Sequence, residues 1–501
     1  MHTFLDPLRR ALQVAPNSTA FVCEAVEITY AQFGERCQRL AAFLQSKGAK
    51  FGDRVAIWAA NSHRYMEAYV GIPAAGMVVV PLNTRHAERE LKYALEDGGV
   101  TILLADRDPG GLADVVDTVI MMPDEYEQGL AASEPMELGV GVDENTLAGL
   151  FYTGGTTGAS KGVMLSHRNL VANAQNYMML APTAWHDVHL YIAPLFHAAG
   201  SNNILGTIWC AQKGIIQPAF EPKQALDLIE KHKVTSTLGV PAMIAAMTEE
   251  QFANPRDVSS FKIIAHGGSP IATETVRRAT QAFPTADFCH LYGATELSPL
   301  ATGLLHEQDL LDSDRRRSCG LPIVGCDIRM MDDDGNEKSR GEIGELAARG
   351  NNVMQGYWNK PEQTAAVLRN GWYYSGDLGY MDDEGYVILV DRAKDMIVSG
   401  GENVYGSEVE EALYLHPAVL EAAVFGIPDE RWGEAVHAVV VKRSDVTDQE
   451  LIEFCREHIA GYKVPKSVSF QEEALPKSGP GKVLNRELRK PFWEGKESGI
   501  N

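Results

Sequence analysis

From residue 50 to residue 300, short apolar and β-branched runs alternate with amphipathic helical stretches, which confines the chain to few folds. Residues 53–59 read as a strand, 62–75 as a helix and 77–80 as a strand. The pattern returns with helix 222–233, strand 234–238, helix 241–250, strand 261–265, helix 273–283 and strand 287–291. Such βαβ alternation predicts parallel sheets with helices on both faces, and ligands held beyond the carboxyl ends of the strands.

The texture changes near residue 320. Residues 327–331 and 344–348, joined by a turn at 332–336, predict an antiparallel hairpin, and the three aspartates at its tip lack the ligand spacing of a calcium loop. After residue 391 a new compact unit is expected, reading helix 407–414, strands 420–425 and 435–441, helix 448–459 and strand 467–471. The expected fold is α/β: a large N-terminal domain (1–390) of parallel-type βαβ sheets with a β-barrel-like segment, a hinge (391–395), and a small mobile α+β C-terminal domain (396–501).

At 501 residues the chain exceeds a single core, and 45% hydrophobic with 22% charged residues is ordinary for a soluble protein. A net charge of −22 argues against nucleic acid or an anionic membrane as the main partner, though not against a nucleotide held by a local loop. The seven cysteines are scattered without Cys-x-x-Cys spacing, which predicts reduced thiols. No run reaches membrane-spanning length and the N-terminus lacks a signal-peptide core, so a cytoplasmic location is expected. Leu5, Leu8 and Leu12 stand at helical spacing and are expected to dock on the protein itself; contact with a membrane surface is left open.

The sharpest local feature is Thr153-Gly154-Gly155-Thr156-Thr157-Gly158-Ala159-Ser160-Lys161, which follows an apolar run. Glycines let backbone N–H groups approach an anion, hydroxyls add donors and Lys161 adds charge. It differs from a Walker loop because Lys161 is followed by Gly162-Val163-Met164-Leu165, a strand pattern and not a helix.

Further pointed stretches follow in order. They are Pro194-Leu195-Phe196-His197-Ala198-Ala199-Gly200, Tyr292-Gly293-Ala294-Thr295-Glu296 and Gly371-Trp372-Tyr373-Tyr374-Ser375-Gly376-Asp377. Then come Asp391-Arg392-Ala393-Lys394-Asp395, Ser399-Gly400-Gly401-Glu402-Asn403 and Pro476-Lys477-Ser478-Gly479-Pro480-Gly481-Lys482. With the glycine-rich loop, their order and spacing resemble the adenylate-forming superfamily of acyl- and aryl-CoA synthetases, luciferases and peptide-synthetase adenylation domains, over residues 15 to 490.

The resemblance implies ATP, magnesium and coenzyme A as co-substrates. A carboxylic acid becomes an acyl-adenylate with loss of pyrophosphate, and the acyl group then passes to the thiol of coenzyme A. The first step brings two anions together and needs cations and oriented donors. By resemblance, Thr153, Gly154, Gly155, Thr156, Thr157, Gly158 and Lys161 hold the β- and γ-phosphates, although Gly154 and Ser160 replace the family's usual serine and proline. Glu296 holds magnesium and Thr295 reaches the α-phosphate; the residues alone would also suit a helix cap. Tyr292, Gly293 and Ala294, with Gly267, Gly268 and Ser269, flank adenine, while Asp377 and Arg392 reach the ribose. Lys482 bridges carboxylate and α-phosphate, Lys394 is the hinge, and Gly400, Gly401, Glu402 and Asn403 line the pantetheine path. His197 matches a gate between acyl and thiol tunnels, whereas Trp372, Tyr373 and Tyr374 are assigned to core.

His197-Ala198-Ala199 offers no carboxylate for an amino-acid substrate, and Gly293 stands where acetate-specific relatives carry a blocking tryptophan. The sequence thus points to a free-standing ligase for a medium- or long-chain fatty acid. An aryl or cinnamate-type acid is the alternative, with Ser201-Asn202-Asn203 suited to a functionalised substrate. A luciferase-like oxygenase and a non-catalytic nucleotide-binding protein rank lower. A homodimer is the expected assembly.

Overall fold

The computed structural model describes residues 2–153, 160–182, 184–269, 271–392, 395–399, 402–429, 432–477 and 483–494. By internal contacts the chain divides into two units, one of Met1–Ile328 with Ala348–Tyr373, the other of Arg329–Ala347 with Tyr374–Asn501.

The first unit contains the expected βαβ alternation. Its nine-stranded sheet runs Leu321–Pro322, Thr302–Leu305, Asp287–Tyr292, Ile263–Gly267, Ser236–Gly239, Val188–Tyr191, Lys213–Ile216, Thr19–Cys23, Val26–Thr29. Pairing is parallel from Asp287–Tyr292 through Thr19–Cys23 and antiparallel at both margins. Helices Pro222–His232, Pro241–Ala253 and Thr273–Ala282 bury Leu226, Ile229, Ile244, Met247, Val276 and Ala279 against Leu190, Ile264 and Phe288. The carboxylate of Glu221 caps the first of these by accepting from Lys223 N and Gln224 N.

Two strands begin two residues later than their patterns predict. Val234 N still donates to Ile229 O to close the preceding helix, and Phe261 N donates to Val258 O in a turn, so ladder pairing starts only at Ser236 and Ile263.

A second, seven-stranded sheet runs Gly356–Tyr357, Lys161–Ser166, Leu147–Thr153, Val78–Pro81, Arg54–Trp58, Val100–Ala105, Thr118–Met121. Leu147–Thr153 and Lys161–Ser166 pair antiparallel with Thr153 opposite Lys161, and Gly356–Tyr357 adds an antiparallel edge. The N-terminal helix Leu5–Val14 buries Leu5 and Leu8 within the unit, and Leu12 lies against the backbone of Gly34. Trp372 and Tyr373 are buried, as assigned.

In the second unit Met331 bridges Glu337 across the expected turn, where the Asp332 carboxylate accepts from Asn336 N at 2.8 Å. Trp372–Met381 and Val387–Arg392 pair antiparallel with Asp377 opposite Arg392, and Tyr374 is buried. A further sheet runs Glu402–Val404, Ile397–Ser399, Gly433–Lys442, Val419–Asp429, and Ser467–Gln471 joins Gly433–Lys442 in parallel. Its core sets Val424, Val436 and Val440 against Val409 and Leu413 of helix Gly406–Tyr414 and Leu451 and Cys455 of helix Asp448–His458. All seven cysteines are free thiols. No described helix is long and apolar enough to cross a membrane.

Candidate active site

Two pairs of sequence-predicted stretches converge in the first unit. The strands Ile263–Gly267 and Asp287–Tyr292 are parallel neighbours with Gly267 opposite Leu291, so the segments 267–269 and 292–296 leave adjacent carboxyl ends. A Cβ on Gly267 would lie 2.4 Å from Leu291 O, and Gly268 has φ +82°, so both glycines are required by the backbone. A Cβ on Gly293 would lie 1.9 Å from Pro299 O. That glycine serves the close approach of its own turn, so the depth of an acyl cavity does not follow from its missing side chain.

Thr295–Leu297 forms a short 3-10 turn whose preceding residue, Ala294, makes no side-chain cap. The carboxylate of Glu296 stands half-buried beside it and Oε1 accepts the hydroxyl of Tyr357 at 2.8 Å. The backbone carbonyl of Glu296 accepts from Met354 N at 2.8 Å. Lys161 opens its strand and places Nζ 4.7 Å from the centroid of the same Tyr357 ring. Burial, with the neighbouring Glu296 carboxylate, pushes the Tyr357 phenol far up, so it stays a neutral donor. Lys161 and Glu296 thus meet on one side chain that sequence reasoning missed. The available signal was the aromatic pair in Met354-Gln355-Gly356-Tyr357-Trp358, but its partner strand lies far upstream. Glu296 Oε2 has no hydrogen-bond partner among the described residues, and a half-buried carboxylate oxygen is the donor type a hydrated magnesium ion takes.

A row of buried asparagines organises these loops. Ser166 and Asn169 form a capping box for helix His167–Leu180. Asn169 Nδ2 also donates to Asn351 O at 2.8 Å and Val353 O at 2.7 Å. One turn on, Asn173 Oδ1 accepts from Leu300 N at 3.0 Å while its Nδ2 donates to Asn202 Oδ1. Asn176 Oδ1 accepts from Gly325 N at 3.0 Å. Asn352 Nδ2 donates to Leu297 O at 3.1 Å and Leu300 O at 2.7 Å, and its backbone carbonyl accepts from Ser298 Oγ at 2.7 Å.

His197 caps the short helix Ala198–Ser201, its Nδ1 accepting from Ala199 N at 3.2 Å. Burial pushes its pKa down to about 4, so the imidazole is neutral near pH 7 with its proton on Nε2. Asn202 and Asn203 follow, both buried. Asn203 is 3% exposed, and neither its Oδ1 nor its Nδ2 has a partner among the described residues.

In the second unit Gly376 has φ +75° and its N–H donates to Glu345 at 2.8 Å, while Asp377 N donates to Ser375 Oγ at 3.1 Å. Asp377 and Arg392, both assigned to ribose, are cross-strand partners. Glu402 and Asn403 lie on the strand Glu402–Val404 opposite Ser399 and Val398. Gly154, Gly155, Thr156, Thr157, Gly158, Lys394, Gly400, Gly401 and Lys482 fall outside the described residues.

Comparison with known proteins identifies the family. The family model for the AMP-binding enzyme matches residues 8–358, and that for the AMP-binding enzyme C-terminal domain matches residues 408–482. The chain is 39% identical to a feruloyl-CoA synthase of Amycolatopsis sp, over 97% of this chain and 98% of that one. It is 34% identical to a long-chain-fatty-acid–CoA ligase of Bacillus subtilis (strain 168), covering 94% and 91%. The o-succinylbenzoate CoA synthetase of Bacillus subtilis bound to its acyl-adenylate superposes with a TM-score of 0.88 at 30% identity, over 97% and 98% of the two chains. ATP-bound MatB from Rhodopseudomonas palustris gives 0.89 at 29%, over 98% and 99%. The chain therefore belongs to the AMP-binding enzyme family and is an AMP-forming acid–CoA ligase.

Proposed function

We propose that the acid activated by this ligase is an aryl acid of the hydroxycinnamate type, in preference to the fatty acid that the sequence alone favours. The observation that carries this reading is Asn203, a buried amide whose two polar atoms have no partner among the described residues. A desolvated donor and acceptor left unmet cost about 1–3 kcal/mol, and an alkyl chain offers them nothing. A ring hydroxyl or methoxy group supplies a partner, and a site built around such a group rejects analogues that lack it. The 39% identity to a feruloyl-CoA synthase, against 34% to a long-chain ligase, supports the same choice.

Within this reading, Thr153 to Gly158 and Lys161 hold the β- and γ-phosphates, and Glu296 holds magnesium, which screens the phosphate charge when bound. Gly267 to Ser269 and Tyr292 to Ala294 flank adenine, with Thr295 at the α-phosphate and Asp377 and Arg392 at the ribose. Lys482 neutralises charge at the α-phosphate as the acid attacks it. Rotation about Lys394 then presents Gly400 to Asn403 for thioester formation, with neutral His197 as the gate.

The test follows AMP release with CoA and a panel of ferulate, p-coumarate, cinnamate, benzoate, octanoate and palmitate. Ferulate or p-coumarate is expected to give the highest kcat/KM, about tenfold or more above cinnamate, and Asn203→Leu is expected to erase that margin. A preference for palmitate would overturn the aryl assignment. Lys482→Ala is expected to slow adenylation about a hundredfold or more while sparing thioester formation from supplied acyl-adenylate.

A further inference from the structure

Tyr357 stands between two groups of opposite charge. Its ring is 6% exposed, its hydroxyl donates to Glu296 Oε1 at 2.8 Å, and its face lies 4.7 Å from Lys161 Nζ. The backbone that carries it is fixed from three directions. Tyr357 pairs with Val163 on the strand that Lys161 opens, Tyr357 N donates to Thr364 Oγ1 at 2.9 Å, and Trp358 N donates to Gly162 O at 2.8 Å. Gly356 reaches this position with φ +143°, a conformation that favours glycine, and a Cβ there would meet Thr364. The ring has little freedom to turn away.

An ammonium on a strand and a carboxylate on the adjoining 3-10 turn, both against one tyrosine, attract each other, and their direct pairing would neutralise both before a ligand arrives. The phenol gives each charge a different partner. The carboxylate receives a charge-assisted hydrogen bond on one oxygen, and the ammonium meets the electron-rich ring face.

We propose that Tyr357 is a positioning residue for the magnesium–nucleotide complex: its hydroxyl orients the Glu296 carboxylate toward the metal, and its ring keeps the Lys161 ammonium from collapsing onto that carboxylate. The proposal rests on the roles given above to Glu296 and Lys161, and adds a residue that links them.

Calorimetric binding of a non-hydrolysable ATP analogue, with and without magnesium, tests it apart from turnover. Tyr357→Phe keeps the ring and removes the donor; binding with magnesium is expected to weaken about tenfold, while metal-free binding and the thermal midpoint stay near wild type. Tyr357→Leu removes both contacts and is expected to weaken binding in both conditions, because Lys161 is lost to an ion pair with Glu296. Glu296→Gln serves as the reference. If Glu296→Gln weakens magnesium-dependent binding and Tyr357→Phe does not, the tyrosine role is overturned and the magnesium assignment stands. If Glu296→Gln leaves metal dependence unchanged, the magnesium assignment is itself overturned, and this proposal with it.

Discussion

At Gly293 a hydrogen occupies a place where a carbon would sit 1.9 Å from the Pro299 carbonyl oxygen. Gly293→Ala therefore has to move the segment that follows Tyr292, and shifts of that size in positioning groups cost roughly tenfold to a hundredfold in rate. ATP–pyrophosphate exchange is expected to fall by that factor with a raised KM for ATP. Steady-state kinetics across ATP concentrations check it, and unchanged kinetics would show that the turn does not touch nucleotide. Legibility at this scale depended on how local the signal was. Gly267, Gly268 and Gly293 could be read as special because glycines in a strand-to-loop step carry a backbone meaning. Tyr357 could not, since its hydroxyl finds Glu296 across 61 residues and nothing in Gly356-Tyr357-Trp358 distinguishes a positioning tyrosine from a core one.

Helix His167–Leu180 and the segment around Asn352 act as a brace. Asn169, Asn173 and Asn176 share one helix face by their spacing, and each ties a different loop to it. Asn352 closes the 297–300 turn with two donated bonds from a fully buried amide. Asn352→Ala is expected to destabilise the fold by about 2–4 kcal/mol, because Leu297 O and Leu300 O lose their donor. Asn352→Asp has nearly the same shape but turns an acceptor toward two carbonyls, and is expected to be worse than alanine. Urea unfolding of both variants checks the order, and an aspartate variant as stable as wild type would refute the account. The βαβ elements were legible from their apolar periodicity, with Arg54–Trp58 and Thr273–Ala282 close to the predicted spans. The last described helix, Asn485–Trp493, was not. Pro491 lies inside it and its apolar residues Leu488 and Phe492 answer Phe425 and Val439, so its place depends on a sheet face formed elsewhere.

For the whole molecule, buried neutral histidines set the response to acid. Burial pushes His63, His167, His197 and His290 down to about 4 and His189 to about 3, all in the first unit. In the unfolded chain each titrates near 6.5, so between that value and the folded one the unfolded state binds more protons and stability rises with pH. Each such histidine contributes up to about 1.4 kcal/mol of loss per pH unit as acid is added, and together they give several. Chemical denaturation at about pH 7.5 and about pH 5.5 is expected to show a clear drop at the lower value. A flat profile would show that these side chains take protons without unfolding. None of this was legible in the sequence, where fourteen histidines look alike until the sheets bury some of them.

Asn173 holds Leu300 with one end of its amide and Asn202 with the other. The stretch we propose beside the acid and the turn that follows the proposed nucleotide segment therefore share a single small hinge-pin of hydrogen bonds, so a shift in one is expected to reach the other. Evolution toward a new acid through this region will carry epistasis with it: variants selected for substrate will register as altered ATP kinetics, and their repair will map to helix His167–Leu180.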